Sequence, residues 1–283
     1  MSNKTAPQIR GMKQTNQRIA MVTAYDYPTA VLASRSGADV ILVGDSLGMV
    51  ILGYEDTLKV TMTDMLHHCK AVARGADGPL TVGDMPFMSY QVSTEQAVEN
   101  AGRFIQEGGM DAVKLEGAGY ANRVHAIVES GIPVMGHLGL TPQSVKAFGG
   151  FKIQGKTLNA ARKLLDDALK LEDAGVFSIV LEGIPAELAE MVTNAVRVPT
   201  IGIGAGGGCT GQVLVFHDLL AIPSAAPFQF VRTFAKAGSL MEKGLRDYVA
   251  AVQNGTFPES CHSSHLSEPV KQALQKEVVR KCM

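Results

Sequence analysis

Val40-Ile41-Leu42-Val43-Gly44-Asp45-Ser46-Leu47-Gly48 is the stretch that decides the fold. Four apolar residues in unbroken succession read as a parallel strand covered on both faces, because a half-exposed strand would alternate apolar and polar positions. The run stops at a glycine followed by an acid and a hydroxyl. That is where α/β barrels and open α/β sheets place their chemistry. The same grammar recurs along the chain. Leu80-Thr81-Val82-Gly83 ends at Asp84, Ala112-Val113 runs into Lys114-Leu115-Glu116, Pro133-Val134-Met135-Gly136 ends at His137, and Ile179-Val180-Leu181 ends at Glu182. Five strand ends carrying charge or imidazole point to one active site.

The spacing predicts strands at Ala20–Thr23, Val40–Val43, Leu80–Val82, Ala112–Leu115, Val134–Gly136, Ser178–Leu181, Thr200–Ile203 and Val213–Phe216. Amphipathic stretches lie between them. Ala97, Val98, Ala101, Phe104 and Ile105 form one helical stripe behind a capping-box pattern at Ser93 and Gln96, and Leu158, Ala161, Leu165, Ala168 and Leu169 form another closed by Gly175. Strands alternating with helices imply βαβ units with right-handed crossovers. Eight such units match a single-domain α/β fold of the (β/α)8 TIM-barrel type, with a doubly wound open sheet as the alternative. The expected organisation is one domain over residues 1–283, with a short polar segment at 1–18. A helix-like stretch around Phe230–Val252 leads into a tail expected to be irregular from about residue 255 to 283.

A chain of 283 residues with 46% hydrophobic content can bury a large core. A net charge of −1 with no basic stripe or acidic tail argues against nucleic-acid and membrane-surface roles, and no apolar run is long enough to span a bilayer. The polar residues 1–18 lack the apolar region of a secretory signal. Cys69, Cys209, Cys261 and Cys282 are far apart and form no Cys-x-x-Cys pair. They read as reduced thiols of a cytoplasmic protein.

In a barrel, Asp45, Asp84, Glu116, His137 and Glu182 converge on one mouth. Lys114 and Glu116, two apart on one strand, point the same way, into the barrel. Carboxylates gathered in a small pocket repel one another and are costly to desolvate, and a hard divalent cation resolves the conflict. Mg²⁺ suits oxygen ligands and leaves positions for water and substrate, so Asp45, Asp84 and Glu116 are expected to hold it directly or through its water. A metal held this way can chelate a 2-oxo acid and stabilise the enolate formed when a proton leaves the neighbouring carbon. Ser46 and Lys114 are expected to bind the substrate carboxylate. Glu182 is the expected base, with partial burial raising its basicity, and His137 assists it or orients a neighbour. Two blander readings stand beside these. A strand-end Asp also serves as a helix cap, and Lys114 could be the ion-pair partner of Glu116. Gly202-Ile203-Gly204-Ala205-Gly206-Gly207-Gly208 is read as a close backbone approach to substrate or cofactor rather than a phosphate loop, since no Gly-Lys-Ser/Thr follows.

Several blocks carry a family resemblance: Val22-Thr23-Ala24-Tyr25-Asp26, Gly44-Asp45-Ser46-Leu47-Gly48, Gly83-Asp84-Met85-Pro86-Phe87, and Val113-Lys114-Leu115-Glu116-Gly117. Gly136-His137-Leu138-Gly139-Leu140-Thr141-Pro142-Gln143-Ser144 is especially specific, and Leu181-Glu182, Ile201–Gly206 and Gly211–Asp218 extend the set. Over about residues 5–265 the chain resembles the ketopantoate hydroxymethyltransferases. The resemblance implies a (β/α)8 barrel, one Mg²⁺ per subunit and a homo-oligomer, decameric as a pentamer of dimers. It implies transfer of a hydroxymethyl group from 5,10-methylenetetrahydrofolate to 3-methyl-2-oxobutanoate, giving 2-dehydropantoate. By motif, Asp45, Asp84 and Glu116 match the metal positions, Asp45, Ser46, Asp84 and Lys114 the substrate contacts, and Glu182 the proton acceptor. Thr210 stands where an acid is usual, Lys59 where proline is common, and the tail after about residue 265 has no counterpart. The alternatives are a related Mg²⁺-dependent carbon–carbon lyase or phosphonomutase, whose usual Lys-x-Cys-Gly lid is missing here, and a non-catalytic scaffold.

Overall fold

The eight apolar runs are eight parallel strands, and the last of them hydrogen-bonds to the first. In the computed structural model, which describes residues 3–223 and 228–281, these are β1 (Ile19–Thr23), β2 (Val40–Val43), β3 (Leu80–Asp84), β4 (Ala112–Glu116), β5 (Val134–Gly139), β6 (Ser178–Glu182), β7 (Thr200–Ile203) and β8 (Gly211–Leu214). Each pairs with its sequence neighbours, and β8 pairs in parallel with β1 from Ile19↔Gly211 to Val22↔Leu214. Closure excludes the open sheet. The chain is a (β/α)8 barrel.

β8 lies two residues earlier than the expected Val213–Phe216. Phe216 instead donates its N–H to Thr23 Oγ1 and begins a short helix, Phe216–Leu219. The helices packed on the strands start where the sequence supplies caps. Asp26 and Thr29 form a capping box before Tyr27–Arg35, and Thr61 and Asp64 form one before Met62–Gly75. Ser93 caps Thr94–Gln106 through Gln96 N–H, without the return bond of a full box. Ala121–Glu129, Leu158–Asp173 and Ala186–Ala195 follow β4, β5 and β6.

Alternation along the strands divides the core in two. Ile41 and Val43 point out to the helices, with Phe104, Leu115, Leu171 and Ile179. Val40 and Leu42 point into the barrel, with Met21, Val82, Met135, Val180 and Ile201. The polar segment before residue 19 holds a helix, Ala6–Gln14, whose Ala6 and Ile9 join the barrel-interior cluster. Lys13 on that helix donates to the carbonyls of Thr193, Val196 and Val198, at and just beyond the end of helix Ala186–Ala195.

Contacts divide the chain into one unit up to Ala235 and a second from Lys236 onward. The second holds helices Ala237–Gln253 and Glu268–Lys281 and a 3-10 turn at Ser260–His262, so the tail expected to be irregular is partly helical. Leu240, Met241, Leu245, Tyr248, Val249 and Val252 are exposed on its first helix. Cys282 lies outside the described residues.

Gly139 marks the end of β5 with φ +96°, and a Cβ there would lie 2.2 Å from the Glu182 carbonyl oxygen. Gly139→Ala combines that clash with a left-handed backbone, so it should destabilise by about 2–3 kcal/mol and lower the melting temperature by roughly 5–10 °C in a calorimetric scan.

Candidate active site

Strand register begins the assembly of the site. Asp84 on β3 lies level with Lys114 on β4, Glu116 on β4 with His137 on β5, and Gly139 on β5 with Glu182 on β6. Residues level on neighbouring parallel strands present their side chains to the same face. With Asp45 and Ser46 from the turn after β2, the side chains of Asp84, Lys114, Glu116, His137 and Glu182 line one cavity of about 100 Å³ at the carboxyl ends of the strands. That volume holds several waters or one small acid. All the expected site residues line it.

The electrostatics are a contest between desolvation and neighbouring charge. Asp45, Asp84, Lys114, Glu116 and His137 are all buried. Lys114 Nζ donates to Asp84 Oδ1 at 2.7 Å, so its ion-pair partner is Asp84 rather than Glu116. Burial works against the charge of Lys114, but Asp84, Glu116 and Asp45 outweigh it and hold its pKa above the usual lysine value. Burial first, then Asp84 and Glu116, push Asp45 well above the normal carboxylate range. Burial likewise raises Asp84, against the pull of Lys114.

His137 stands between two glutamates. Its Nδ1 is 3.3 Å from Glu116 Oε1 and its Nε2 is 3.2 Å from Glu182 Oε2. These are ionic approaches rather than aligned hydrogen bonds, since Glu116 Oε1 and His137 Nε2 have no partner of good geometry. Burial and Lys114, 3.4 Å away, oppose charging the ring, yet the two glutamates raise its pKa to about 9. The two glutamates thus favour the charged form of the His137 ring.

Neither Asp45 nor Ser46 serves as a helix cap: the helix Leu47–Val50 begins at Ser46 with no side-chain cap bond. Ser46 Oγ instead lies 2.8 Å from Tyr25 Oη. Asp45 has no ion pair among the described residues, and its one side-chain hydrogen bond comes from neutral Gln143. A buried carboxylate in that state suits a hard, oxygen-binding divalent cation. Among the described residues no three His, Cys, Asp or Glu side chains converge in a ready-made cage. Mg²⁺ does not need one, because it keeps several waters and takes only one or two carboxylates.

Charge at strand ends did not reveal three further participants. Tyr25 and Tyr90 are buried. Tyr90 Oη donates to Gln143 Oε1 at 2.7 Å and accepts the Glu116 N–H at 3.2 Å. Gln143, in the turn after β5, bonds to Asp45, Met85 and Glu116. All three residues are uncharged. The Thr-Pro-Gln-Ser run inside the most specific sequence block was the available signal for Gln143. The glycine loop after β7 does make a close approach, but to the protein's own aromatic side chain: a Cβ on Gly204 would sit 2.6 Å from the Phe230 ring, which also lines the cavity. Thr210 exchanges backbone-to-hydroxyl bonds of 3.3 Å with Thr200, the first residue of β7, at the barrel's opposite end. That departure from the family pattern leaves the mouth untouched.

Fold and site together define an α/β barrel with buried carboxylates gathered at the carboxyl ends of its strands, where enzymes of this fold place their active sites. A family profile described as Ketopantoate hydroxymethyltransferase matches residues 3–260, and the chain belongs to that family. It is 57% identical to the 3-methyl-2-oxobutanoate hydroxymethyltransferase of Clostridium novyi (strain NT), over 93% of this chain and 96% of that one. It is 54% identical to the protein of the same name from Carboxydothermus hydrogenoformans, over 97% and 100%. Among solved structures, phosphoenolpyruvate phosphomutase from Streptomyces platensis subsp. rosaceus superposes with a TM-score of 0.61 at 14% identity, over 98% of both chains. Phosphonopyruvate hydrolase in complex with oxalate and Mg²⁺ superposes with a TM-score of 0.59 at 12% identity, also over 98% of both. These two share the fold. The lyase-or-mutase alternative therefore has the barrel in its favour and the sequence against it.

Removing the cation from the buried pair leaves Asp84 unpaired beside two other carboxylates. Lys114→Met should cost about 3–5 kcal/mol in urea unfolding of the metal-free protein, with a Lys114→Met/Asp84→Asn double variant recovering part of that loss.

Proposed function

We propose that this protein transfers a hydroxymethyl group from 5,10-methylenetetrahydrofolate to 3-methyl-2-oxobutanoate, forming 2-dehydropantoate. The observation that carries the reading is the meeting of Asp45, Asp84, Lys114, Glu116, His137 and Glu182 in one cavity. It occurs in a chain more than half identical, over nearly its whole length, to proteins named for that reaction.

In this reading Asp45 and Asp84 hold one Mg²⁺ per subunit and Glu116 holds its water. The bound metal supplies Lewis acidity to the 2-oxo acid, easing loss of the C3 proton. Ser46 donates to the substrate carboxylate, and the Lys114 ammonium neutralises it. Glu182 is less buried than its neighbours, with 14% of its side chain exposed. It takes the C3 proton as general base. His137, 3.2 Å from Glu182 Oε2, orients that carboxylate. Water first opens the methylene bridge of the folate, breaking its two C–N bonds to give tetrahydrofolate and formaldehyde. The C3 carbanion then adds to the formaldehyde carbon, and the former carbonyl oxygen takes up a proton to become the new hydroxyl. The apolar cavity walls, among them Leu42, Val180 and Ile203, keep bulk water from the enolate.

The same reading includes a homo-oligomer, a decamer built as a pentamer of dimers, and a cytoplasmic setting with the (β/α)8 barrel as the catalytic domain. The exposed apolar stripe on Ala237–Gln253 supports association between copies. The free, buried thiols of Cys69 and Cys209 are consistent with a reducing compartment. No helix among the described residues is long and apolar enough to cross a membrane.

Exchange at C3 isolates the first step. With Mg²⁺ and no folate, the protein should exchange the C3 hydrogen of 3-methyl-2-oxobutanoate for deuterium, as read by NMR. Glu182→Gln should lower that rate by about 10²–10⁴-fold while the oxo acid still binds. Exchange at the wild-type rate in Glu182→Gln would remove Glu182 from the base role.

A further inference from the structure

The side chain of Gln143 is almost fully buried, yet it makes every hydrogen bond a carboxamide can make. Nε2 donates to Asp45 Oδ2 and to the Met85 carbonyl, both at 2.9 Å. Oε1 accepts from Tyr90 Oη at 2.7 Å and from Gln91 Nε2 at 3.3 Å. The Tyr90 hydroxyl accepts the Glu116 N–H and lies closer to this amide oxygen, at 2.7 Å, than to its other acceptor, the Glu116 carbonyl, at 3.5 Å. Turning the amide over would set its oxygen against the Asp45 carboxylate and the Met85 carbonyl, so the network favours the orientation seen. The same residue acts a second time through its main chain. Its N–H donates to Glu116 Oε2 at 3.1 Å.

Gln143 therefore ties down one oxygen of each of two carboxylates that come from different strands. Asp45 Oδ1 accepts no hydrogen bond among the described residues, and Glu116 Oε1, 3.3 Å from His137 Nδ1, is buried without an aligned one. We propose that Gln143 is the positioning residue of this site, its amide fixing Asp45 and its peptide N–H fixing Glu116, so that their remaining oxygens are presented together to a divalent cation or its water. The proposal rests on the reading that Asp45 and Glu116 serve such a cation. A neutral amide is the suitable group for the task. It orients the carboxylates without adding to the negative charge already gathered there, and partners of this kind outside the ligand set commonly govern metal affinity.

The test is Mg²⁺ binding to the substrate-free protein by isothermal titration calorimetry, read beside the melting temperature in metal-free buffer. Gln143→Leu keeps the volume and the peptide N–H but loses the amide. It should weaken Mg²⁺ by about 10–100-fold with the melting temperature shifted by only a few degrees. Tyr90→Phe leaves Gln143 in place but unlocks its orientation, and it should weaken Mg²⁺ in the same direction by a smaller factor. Asp45→Asn separates the two levels of the argument. If Asp45→Asn loses Mg²⁺ while a folded Gln143→Leu binds it like the wild type, the positioning role is overturned and the metal reading survives. If Asp45→Asn itself binds Mg²⁺ with wild-type affinity, the metal reading fails and takes this inference with it. Should Gln143→Leu not fold, Tyr90→Phe decides: weakened Mg²⁺ binding supports the role, and unchanged binding overturns it.

Discussion

The ion pair of Lys114 with Asp84, sealed at the mouth of the barrel, is the constraint around which the rest is arranged. Neither side chain is more than 5% exposed. At this depth an unpaired charge is expensive, and a pair is tolerated only when its geometry is good and its remaining polar atoms are satisfied. One ammonium does not balance Asp84, Glu116 and Asp45 together. The surplus is met by the His137 ring, whose charged form is favoured by Glu116 and Glu182 on either side of it, and by the neutral amide of Gln143 on Asp45. The remaining negative charge is what makes the cavity suited to a divalent metal and to a substrate that carries its own carboxylate and keto oxygen.

That arrangement depends on backbone features remote from any charge. Parallel register sets Asp84 beside Lys114 and Glu116 beside His137. A one-residue slip on β4 would turn Lys114 and Glu116 outward together, into the layer occupied by Leu115 and Phe104. Below the charges, Met21, Val82, Met135 and Ile201 fill the barrel and exclude the water that would otherwise screen them. At the far end, Ile9 plugs the interior and Lys13 ties the first helix to the barrel. The conventional division of such barrels, chemistry at one end and stability at the other, is drawn here in individual residues.

The fold and the charged half of the site were legible in the sequence for one reason. A strand buried on both faces must be an unbroken apolar run, so its end is conspicuous, and an acid or a lysine there is conspicuous too. What sequence reasoning missed lacks that contrast. β8 was placed two residues late because Val213–Phe216 is more apolar than Gly211–Leu214, although pairing with Ile19–Val22 fixes the latter. Gln143, Tyr25 and Tyr90 carry no charge and sit in turns whose direction only the assembled barrel determines. Lys114 was weighed as a partner for Glu116, two residues along its own strand, whereas the interstrand neighbour Asp84 is the closer one. The helix Glu268–Lys281 departs from the irregular tail that the sequence suggests; its Val270, Leu274 and Val278 are exposed.

The glycine-rich loop shows how a motif can be half read. Its glycines were expected to bring backbone against a ligand, and they do permit a close approach, but the group that fills the space at Gly204 is the ring of Phe230. Phe230 in turn walls the cavity together with Phe228 and Phe151: it stacks on Phe228 at 5.3 Å between centroids, and Phe228 meets Phe151 edge-on at 5.6 Å. The loop therefore shapes the site by seating an aromatic wall and makes no polar contact of its own with the reacting groups. Barrels that superpose on this one at 11–17% identity are named for mutase, hydrolase and lyase chemistry. The barrel alone thus leaves the reaction open. What narrows it is the sequence carried on the barrel, which matches the ketopantoate hydroxymethyltransferase family over residues 3–260 and brings the charged strand ends and their uncharged neighbours into one cavity.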